Sequence, residues 1–221
     1  MAAAPDSFGD GKDAFRWRIN LEEVFTVQSC YYRFFSKLSG PPIIANVVKA
    51  STYIWKVQAP TKTLFFGWRL IHDRLATKDQ LYKKGILDFT EMNCVFCSVE
   101  EERLSHLLGG CQVVKEIWLK VLEWLGFITD FSLVDFITFP FIYDKVNSLA
   151  KRKIIGAIWL ATCWHIWLIC NAIIFKNEKF SFLDCMSEIM FSSWKWLLSS
   201  GKIANNCNFL VWRLLPLTCF E

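Results

Sequence analysis

The strongest constraint on this chain is a set of four side chains that are typical zinc ligands. Cys94, Cys97, His106 and Cys111 lie within eighteen positions and give the spacing C-x2-C-x8-H-x4-C. Zinc prefers a tetrahedron of thiolates and imidazoles, and a CxxC turn supplies two thiolates from one tight loop. The spacing therefore predicts one structural Zn2+ site. Four protein ligands leave no open coordination position, which disfavours a catalytic zinc.

The second ligand pair needs a break in regular structure. His106 and Cys111 are five positions apart, which on a continuous α-helix places them about 140° from each other around the axis. Gly109 and Gly110 lie between them and allow the backbone to leave the helix. Two alternatives remain, a buried cluster of free cysteines and a redox CxxC. The redox alternative requires a βαβ context, which this region lacks.

Composition indicates a folded chain. Of the 221 residues, 53% are apolar and 16% are aromatic, which excludes an intrinsically disordered protein. The net charge of +4 neither requires nor excludes a nucleic-acid partner. Nine cysteines cannot all pair within one chain, and the first residues do not resemble a secretory signal. We expect an intracellular protein, cytoplasmic or nuclear, whose cysteines are free or metal-bound.

The periodicity predicts a mainly α fold. Residues 1–14 are expected to form a disordered leader, and alternating residues within 15–28 predict a small N-terminal β-hairpin. Helical spacing dominates from there on, and the composition shifts near residue 127. We therefore predict a helical zinc-binding domain over 15–126, followed by a helical C-terminal region over 127–221.

Several ordered motifs resemble a known family. Residues 25–31 read F-T-V-Q-S-C-Y, residues 54–62 read I-W-K-V-Q-A-P-T-K, and residues 66–77 contain F-G-W-R-L and L-A-T. The Cys/His cluster then follows, with Trp118 after it. From Trp17 to about Trp118, the chain resembles the reverse-transcriptase zinc-binding domain of plant non-LTR (LINE-type) retrotransposons and their gene-like relatives.

The resemblance implies a zinc-binding module that lies downstream of a reverse transcriptase, sometimes upstream of a ribonuclease H domain. It thus implies zinc at the four ligands and a reverse transcriptase acting in trans as a candidate partner. Two positions depart from the family pattern. Ala76 stands where Pro is usual, and in residues 164–171, which resemble a W-x-I-W-x-x-R-N segment, Cys170 stands in place of Arg.

Charge segregation suggests a nucleic-acid surface. Residues 49–84 carry eight basic and two acidic side chains with aromatics between them, whereas residues 85–118 carry two basic and six acidic ones. Basic groups can neutralise phosphates while aromatics stack on bases of RNA or DNA. We predict one exposed basic face, with Phe65 and Trp68 turned inward. Its members are Lys62, Arg69, Lys78, Lys83 and Lys84. The alternative is that the lysines are merely solvated.

Residues 154–175 contain no formal charge and are long enough to span a membrane. Thr162, His165 and Asn171 lie inside this stretch and would need partners in hydrocarbon. We therefore predict a buried helix of a globular domain. A single-pass membrane helix is the alternative.

No enzyme motif is recognisable in the sequence. Polymerase and nuclease chemistry needs clustered carboxylates that hold two metal ions, and the run of three glutamates at 100–102 is expected to be a solvated loop. Neither a G-x-S-x-G elbow nor a P-loop occurs. We predict a non-catalytic, retroelement-derived zinc-binding module that contacts nucleic acid. The competing prediction is a membrane-anchored or purely structural remnant without a nucleic-acid role.

Overall fold

A computed structural model describes residues 45–127, 146, 148–201, 203 and 207–219. The described residues are mainly helical and include no strand, only an isolated antiparallel bridge between Asn93 and Glu101. The mainly α class is therefore confirmed for this part of the chain. The leader predicted over 1–14 and the hairpin predicted over 15–28 lie outside the described residues.

Seven α-helices are described in chain order, with three shorter turns between or after them. The helices are α1 (Ala45–Ile54), α2 (Thr61–Ile71), α3 (Lys78–Lys83), α4 (Gln112–Trp124), α5 (Leu149–Lys176), α6 (Phe182–Ser199) and α7 (Phe209–Leu214). The turns are two 3-10 turns, Phe89–Glu91 and Pro216–Thr218, and one π-helical turn, His106–Gly110.

Gly67 allows three helices to meet. A Cβ atom at this position of α2 would lie 2.7 Å from Ile54 Cδ1 on α1 and 2.9 Å from Leu160 Cδ1 on α5. Such distances are shorter than carbon–carbon van der Waals contact, so a side chain here would require the Ile54 and Leu160 side chains to move. The absence of a side chain at Gly67 brings α1 and α2 onto the middle of α5.

Helix α5 forms the centre of the core, because its residues from Ile154 to Cys163 are all buried. Its polar side chains have local partners. The Thr162 hydroxyl donates to the Ile158 carbonyl at 2.8 Å, and His165 Nε2 is hydrogen-bonded to Ser192 Oγ of α6 at 2.8 Å. Buried polar groups with such partners avoid the cost of an unmade hydrogen bond.

Burial of the predicted 154–175 helix is not uniform. The first residues of this helix are all buried, but Leu168, Ile174 and Phe175 nearer its end are exposed. The whole helix of 28 residues, with a mean hydropathy of 1.7 in its most apolar window, is long and apolar enough to cross a membrane, and half of that window is buried inside the protein. Length and composition are therefore compatible with either a globular core helix or a single span.

Side chains from both sides of residue 126 share one core. Ile54, Trp118, Ile158 and Trp212 belong to the same buried cluster, and the described residues from 45 onward form one compact unit. The boundary predicted between 15–126 and 127–221 stays a prediction, but the packing does not separate the two parts into independent cores.

A disulfide joins Cys207 to Cys219 across α7. The sequence predicted cysteines that are free or metal-bound, and this pair departs from that expectation. Between the two cysteines, the fully buried Trp212 donates its indole N–H to the Met190 carbonyl of α6 at 3.0 Å. The disulfide therefore closes a short loop that packs α7 onto α6.

Candidate metal centre

The first two ligands lie on a small knuckle formed by backbone hydrogen bonds. The Cys94 amide donates to the Glu100 carbonyl, and the Glu102 amide donates to the Met92 carbonyl, both at 2.8 Å. Inside this loop, the Ser98 amide donates to the Cys94 carbonyl at 2.8 Å, and Ser98 adopts a positive φ of 56°. The chain thus folds back tightly enough for Cys94 and Cys97 to face the same point.

The second two ligands are placed by the π-helical turn. The Cys111 amide donates to the His106 carbonyl at 2.7 Å, which is an i to i+5 bond. In this wider turn, Cys111 lies on the same side as His106. A regular α-helix would place the two residues on different sides. Cys111 then becomes extended, with φ −64° and ψ 129°, and caps the start of α4.

Gly110 leaves room for the His106 ring in this turn. A Cβ atom at this position would lie 3.2 Å from His106 Nδ1, closer than ordinary van der Waals contact. The glycine pair in the sequence therefore serves the purpose predicted for it, although the backbone uses a π turn rather than a simple helix stop.

The four predicted ligands converge. Their ligand atoms all lie within 4.8 Å of one another. The Sγ atoms of Cys94 and Cys111 are 4.0 Å apart, and Cys97 Sγ is 3.3 Å from His106 Nε2. Around a tetrahedral zinc, S–S edges of about 3.8 Å and S–N edges of about 3.5 Å are expected from the usual bond lengths. The donor set and its spacing fit one Cys3His zinc site.

The protonation of the thiols also fits a cation site. Burial acts to raise the pKa of the Cys97 thiol, but the backbone amides of Glu100 and Val99 and the His106 ring together lower it to about 6. Burial raises the pKa of Cys94 to about 12, and it raises that of Cys111 as well. Two buried thiols therefore become thiolates only with a cation beside them, so metal binding is coupled to proton release.

Glu100 lies beside the other nitrogen of the histidine ligand. Its Oε2 atom is 3.0 Å from His106 Nδ1, within ion-pair distance, although the contact does not have hydrogen-bond geometry. Zinc-bound histidines usually direct their second ring nitrogen at a carboxylate or carbonyl, which fixes the ring orientation. Glu100 occupies that place on the solvent side of the site.

Glu102 is buried, which corrects the prediction of a solvated loop over 100–102. Its side chain is 1% exposed. The Lys78 amide donates to Oε1 at 3.4 Å and the Cys170 thiol to Oε2 at 3.5 Å, and burial raises the pKa of this carboxyl. Cys170, at the position where the family pattern has Arg, is thus the partner of a buried acid. Nothing in the charge run distinguishes Glu102 from its two neighbours.

The predicted basic residues divide into two groups. On α2, Lys62 and Arg69 are exposed, and so are Lys83 at the end of α3 and Lys84 just after it, whereas Lys78 is half-buried. Lys78 instead donates to the Asn93 carbonyl at 2.7 Å, and Lys83 pairs with Asp79 at 3.0 Å. The Arg69 guanidinium also donates to the Arg74 carbonyl, so these three cations are engaged by the protein itself.

The two aromatics predicted to turn inward behave differently. Trp68 is half-buried and packs against His72, with ring centroids 4.7 Å apart. Phe65 instead faces solvent, with 54% of its surface exposed. The inward prediction for Phe65 is wrong because Phe66 packs against Trp164 and Trp167 of α5, and Phe65, 100° further round the helix, turns to solvent.

Comparison with known proteins agrees with the metal site. Residues 25–118 match the family model described as zinc-binding in reverse transcriptase. The matched stretch includes all four ligands and ends at Trp118, whose indole N–H donates to the Leu108 carbonyl beside the site at 2.7 Å. No curated protein and no solved structure matches the chain.

Proposed function

We propose that this chain is a non-catalytic, zinc-stabilised module, derived from a plant non-LTR retroelement, that contacts RNA or DNA. The observation that carries the proposal is the convergence of Cys94, Cys97, His106 and Cys111 inside the matched stretch. Four protein ligands occupy all the coordination positions of a tetrahedral zinc ion. The metal therefore stabilises the structure and has no open position for a substrate.

Zinc at this point joins three segments of the chain. The four residues join the knuckle, the π-helical turn and the start of α4. When bound, zinc supplies a charged centre that ties these segments together, and folding energy follows from its binding. The protein's own part is to present three sulfurs and one ring nitrogen at the spacing described above.

Contact with nucleic acid is supported by charge. Residues 49–84 contain eight basic and only two acidic side chains, and several of the basic residues are exposed. Phosphate contacts release counterions, so binding must weaken as salt rises. A reverse transcriptase acting in trans is proposed as the protein partner, because the matched family is associated with that enzyme.

Two measurements test this proposal. Elemental analysis of the purified protein is expected to find one zinc per chain. Titration of labelled RNA and DNA at increasing salt is expected to give a linear fall of log affinity with log salt. A zinc-loaded protein that binds neither nucleic acid at low salt would leave only the zinc-binding part of the proposal.

A membrane-anchored or purely structural remnant is the second candidate, because α5 is long and apolar enough to span a membrane. We favour a cytoplasmic or nuclear globular protein, since α5 packs against α2 at Gly67 and its His165 bonds to α6. Extraction of the expressed protein from membranes by alkaline carbonate is the expected result. Release by detergent alone would support the anchored form.

A further inference from the structure

One side of α2 exposes an aromatic ring between two cations. Lys62, Phe65 and Arg69 are all exposed. At 100° per residue they fall within about 60° of the helix circumference. The buried residues Thr63, Phe66 and Gly67, which face the core, are centred about 120° away around the helix. The exposed side is therefore fixed in direction by the packing of the buried one.

A second exposed ring extends this side of the helix. Trp55, at the end of α1, is 46% exposed and packs against Phe65 with ring centroids 5.3 Å apart at an interplanar angle of 82°. The edge-to-face contact holds both rings in place and leaves much of each in water. We call Trp55, Lys62, Phe65 and Arg69 the α1–α2 face.

The segment that carries this face is basic, and the first acidic residue after it is the exposed Asp73. Residues 45–72 contain four basic and no acidic side chains. Lys62 forms no ion pair with any described residue, and its ammonium lies 5.7 Å from the centre of the Trp164 ring. The Arg69 guanidinium donates to the Arg74 carbonyl at 3.0 and 3.2 Å, which holds it at the end of the face. The positive charge of this surface is complementary to an anionic partner.

We propose that the α1–α2 face binds single-stranded nucleic acid, with bases stacked on Trp55 and Phe65 and phosphates held by Lys62 and Arg69. This inference rests on the proposed function and names its substrate class. Aromatic side chains beside a basic groove bind single strands with little sequence preference, because every base has a π-face. Bases inside a duplex are already stacked, so a duplex can use only the cations.

The test uses the full-length, zinc-loaded chain and a labelled single strand of twelve deoxythymidines, with binding read by fluorescence anisotropy. Phe65→Leu and Trp55→Leu keep apolar volume but remove the ring. Each is expected to weaken binding by about 5- to 150-fold, the usual effect of losing one base–aromatic stack. Phe65→Tyr and Trp55→Phe keep a ring and are expected to bind nearly as well as the wild type.

The cations are tested through salt dependence. Lys62→Gln is expected to lower the slope of log affinity against log salt by about 0.7, the value for one phosphate contact on a single strand. Phe65→Leu is expected to leave this slope unchanged. A matched duplex is expected to bind more weakly than the single strand and to be insensitive to Phe65→Leu.

Phe175→Leu is the matched control, since Phe175 is 78% exposed at the far end of α5. It is expected to bind as the wild type does, and zinc content should be equal in all variants. If the wild type binds single strands but the two leucine variants bind equally well, the stacking inference is overturned and the proposed function stands. If the wild type binds no nucleic acid, both are overturned.

Two further results would also overturn the inference. The first is tighter binding to the duplex than to the single strand. The second is a change of oligomeric state in Phe65→Leu, seen by sedimentation velocity, with unchanged affinity for the oligonucleotide. The α1–α2 face would then be a contact between copies of this chain.

Discussion

The zinc knuckle around Cys94 and the helical pair α5–α6 are held together by different forces. In the knuckle, short backbone hydrogen bonds and four ligand atoms fix the chain, and buried neighbours such as Leu107 and Leu108 join it to the common core. In α5 and α6, fully buried residues such as Leu160 and Ile189 provide the stabilisation, since apolar burial contributes about 25 cal/mol per Å2. Both regions therefore exclude water from apolar side chains, but only the first adds a metal ion to that burial.

The largest expected effect separates the two regions. Cys94→Ala removes a buried ligand and is expected to abolish zinc binding, which contributes on the order of 10 kcal/mol in small zinc domains. Hydrogen exchange should then show loss of protection over 92–111, while α5 and α6 stay protected. Cys185→Ala, at an equally buried thiol of α6, is the control and should retain one zinc per chain. Loss of protection in α6 as well would show that the regions are not independent.

The reverse experiment disrupts the helical pair. Leu160→Ala removes a fully buried side chain from the crossing of α5 with α2 and is expected to lower the free energy of unfolding by about 2–5 kcal/mol. Zinc stoichiometry should not change. Leu168→Ala, on the partly exposed side of α5, should cost much less in a urea titration. Equal costs at the two positions would argue against α5 as a core helix.

Acid is expected to affect the helical pair through His165. Burial lowers the pKa of this histidine from 6.5 to about 4. The unfolded chain therefore takes up a proton first as the pH falls, and the native state loses about 1.4 kcal/mol per pH unit between about pH 6.5 and pH 4. Above pH 6.5, this histidine adds no pH dependence.

His165→Gln keeps a side chain that can bond to Ser192 but cannot titrate. Between pH 7 and pH 5, the free energy of unfolding should fall by about 2 kcal/mol less in the His165→Gln variant than in the wild type. His72→Gln, at a less buried histidine, should give a smaller difference. If the wild type and the His165→Gln variant lose stability with the same slope, His165 is excluded as a source of the acid sensitivity.

The smallest effect is expected within the zinc site. Glu100→Gln removes the charge beside His106 Nδ1 and should weaken zinc binding by about tenfold, at the low end for such supporting carboxylates. Competition with a metal-binding dye measures this change. Glu101→Gln is the control, because that carboxylate pairs with Arg103 and does not contact the ligand. Equal affinities of both variants would show that Glu100 does not orient the histidine.

The zinc ligands were predictable because their chemistry and spacing are local. The sequence also showed that a break was needed between His106 and Cys111, but it could not show that a π turn would make it, since that depends on the Cys111 amide bonding to the His106 carbonyl. The helical class was readable from periodicity. The burial of Glu102 was not, because it depends on Cys170, which is 68 positions away.

Two other features depend on tertiary contacts in the same way. Phe65 and Phe66 are adjacent, and local pattern does not tell which of them faces α5; the contact of Gly67 with Leu160 decides it. Residues 154–175 are apolar on nearly every side, so periodicity cannot separate a core helix from a membrane span. The Cys207–Cys219 disulfide was not predicted, because the odd number of cysteines excluded only a complete pairing and did not indicate which cysteines would pair.

Zinc thiolates and a disulfide in one chain make the order of maturation matter. If zinc arrives before an oxidant, the three ligand sulfurs are masked and Cys207 can still pair with Cys219. If the oxidant arrives first, the Cys94 and Cys111 sulfurs, 4.0 Å apart, need to approach by about 2 Å to bond with each other. Such a chain would keep two of its four ligands, so the history of a preparation decides how much of it can still bind metal.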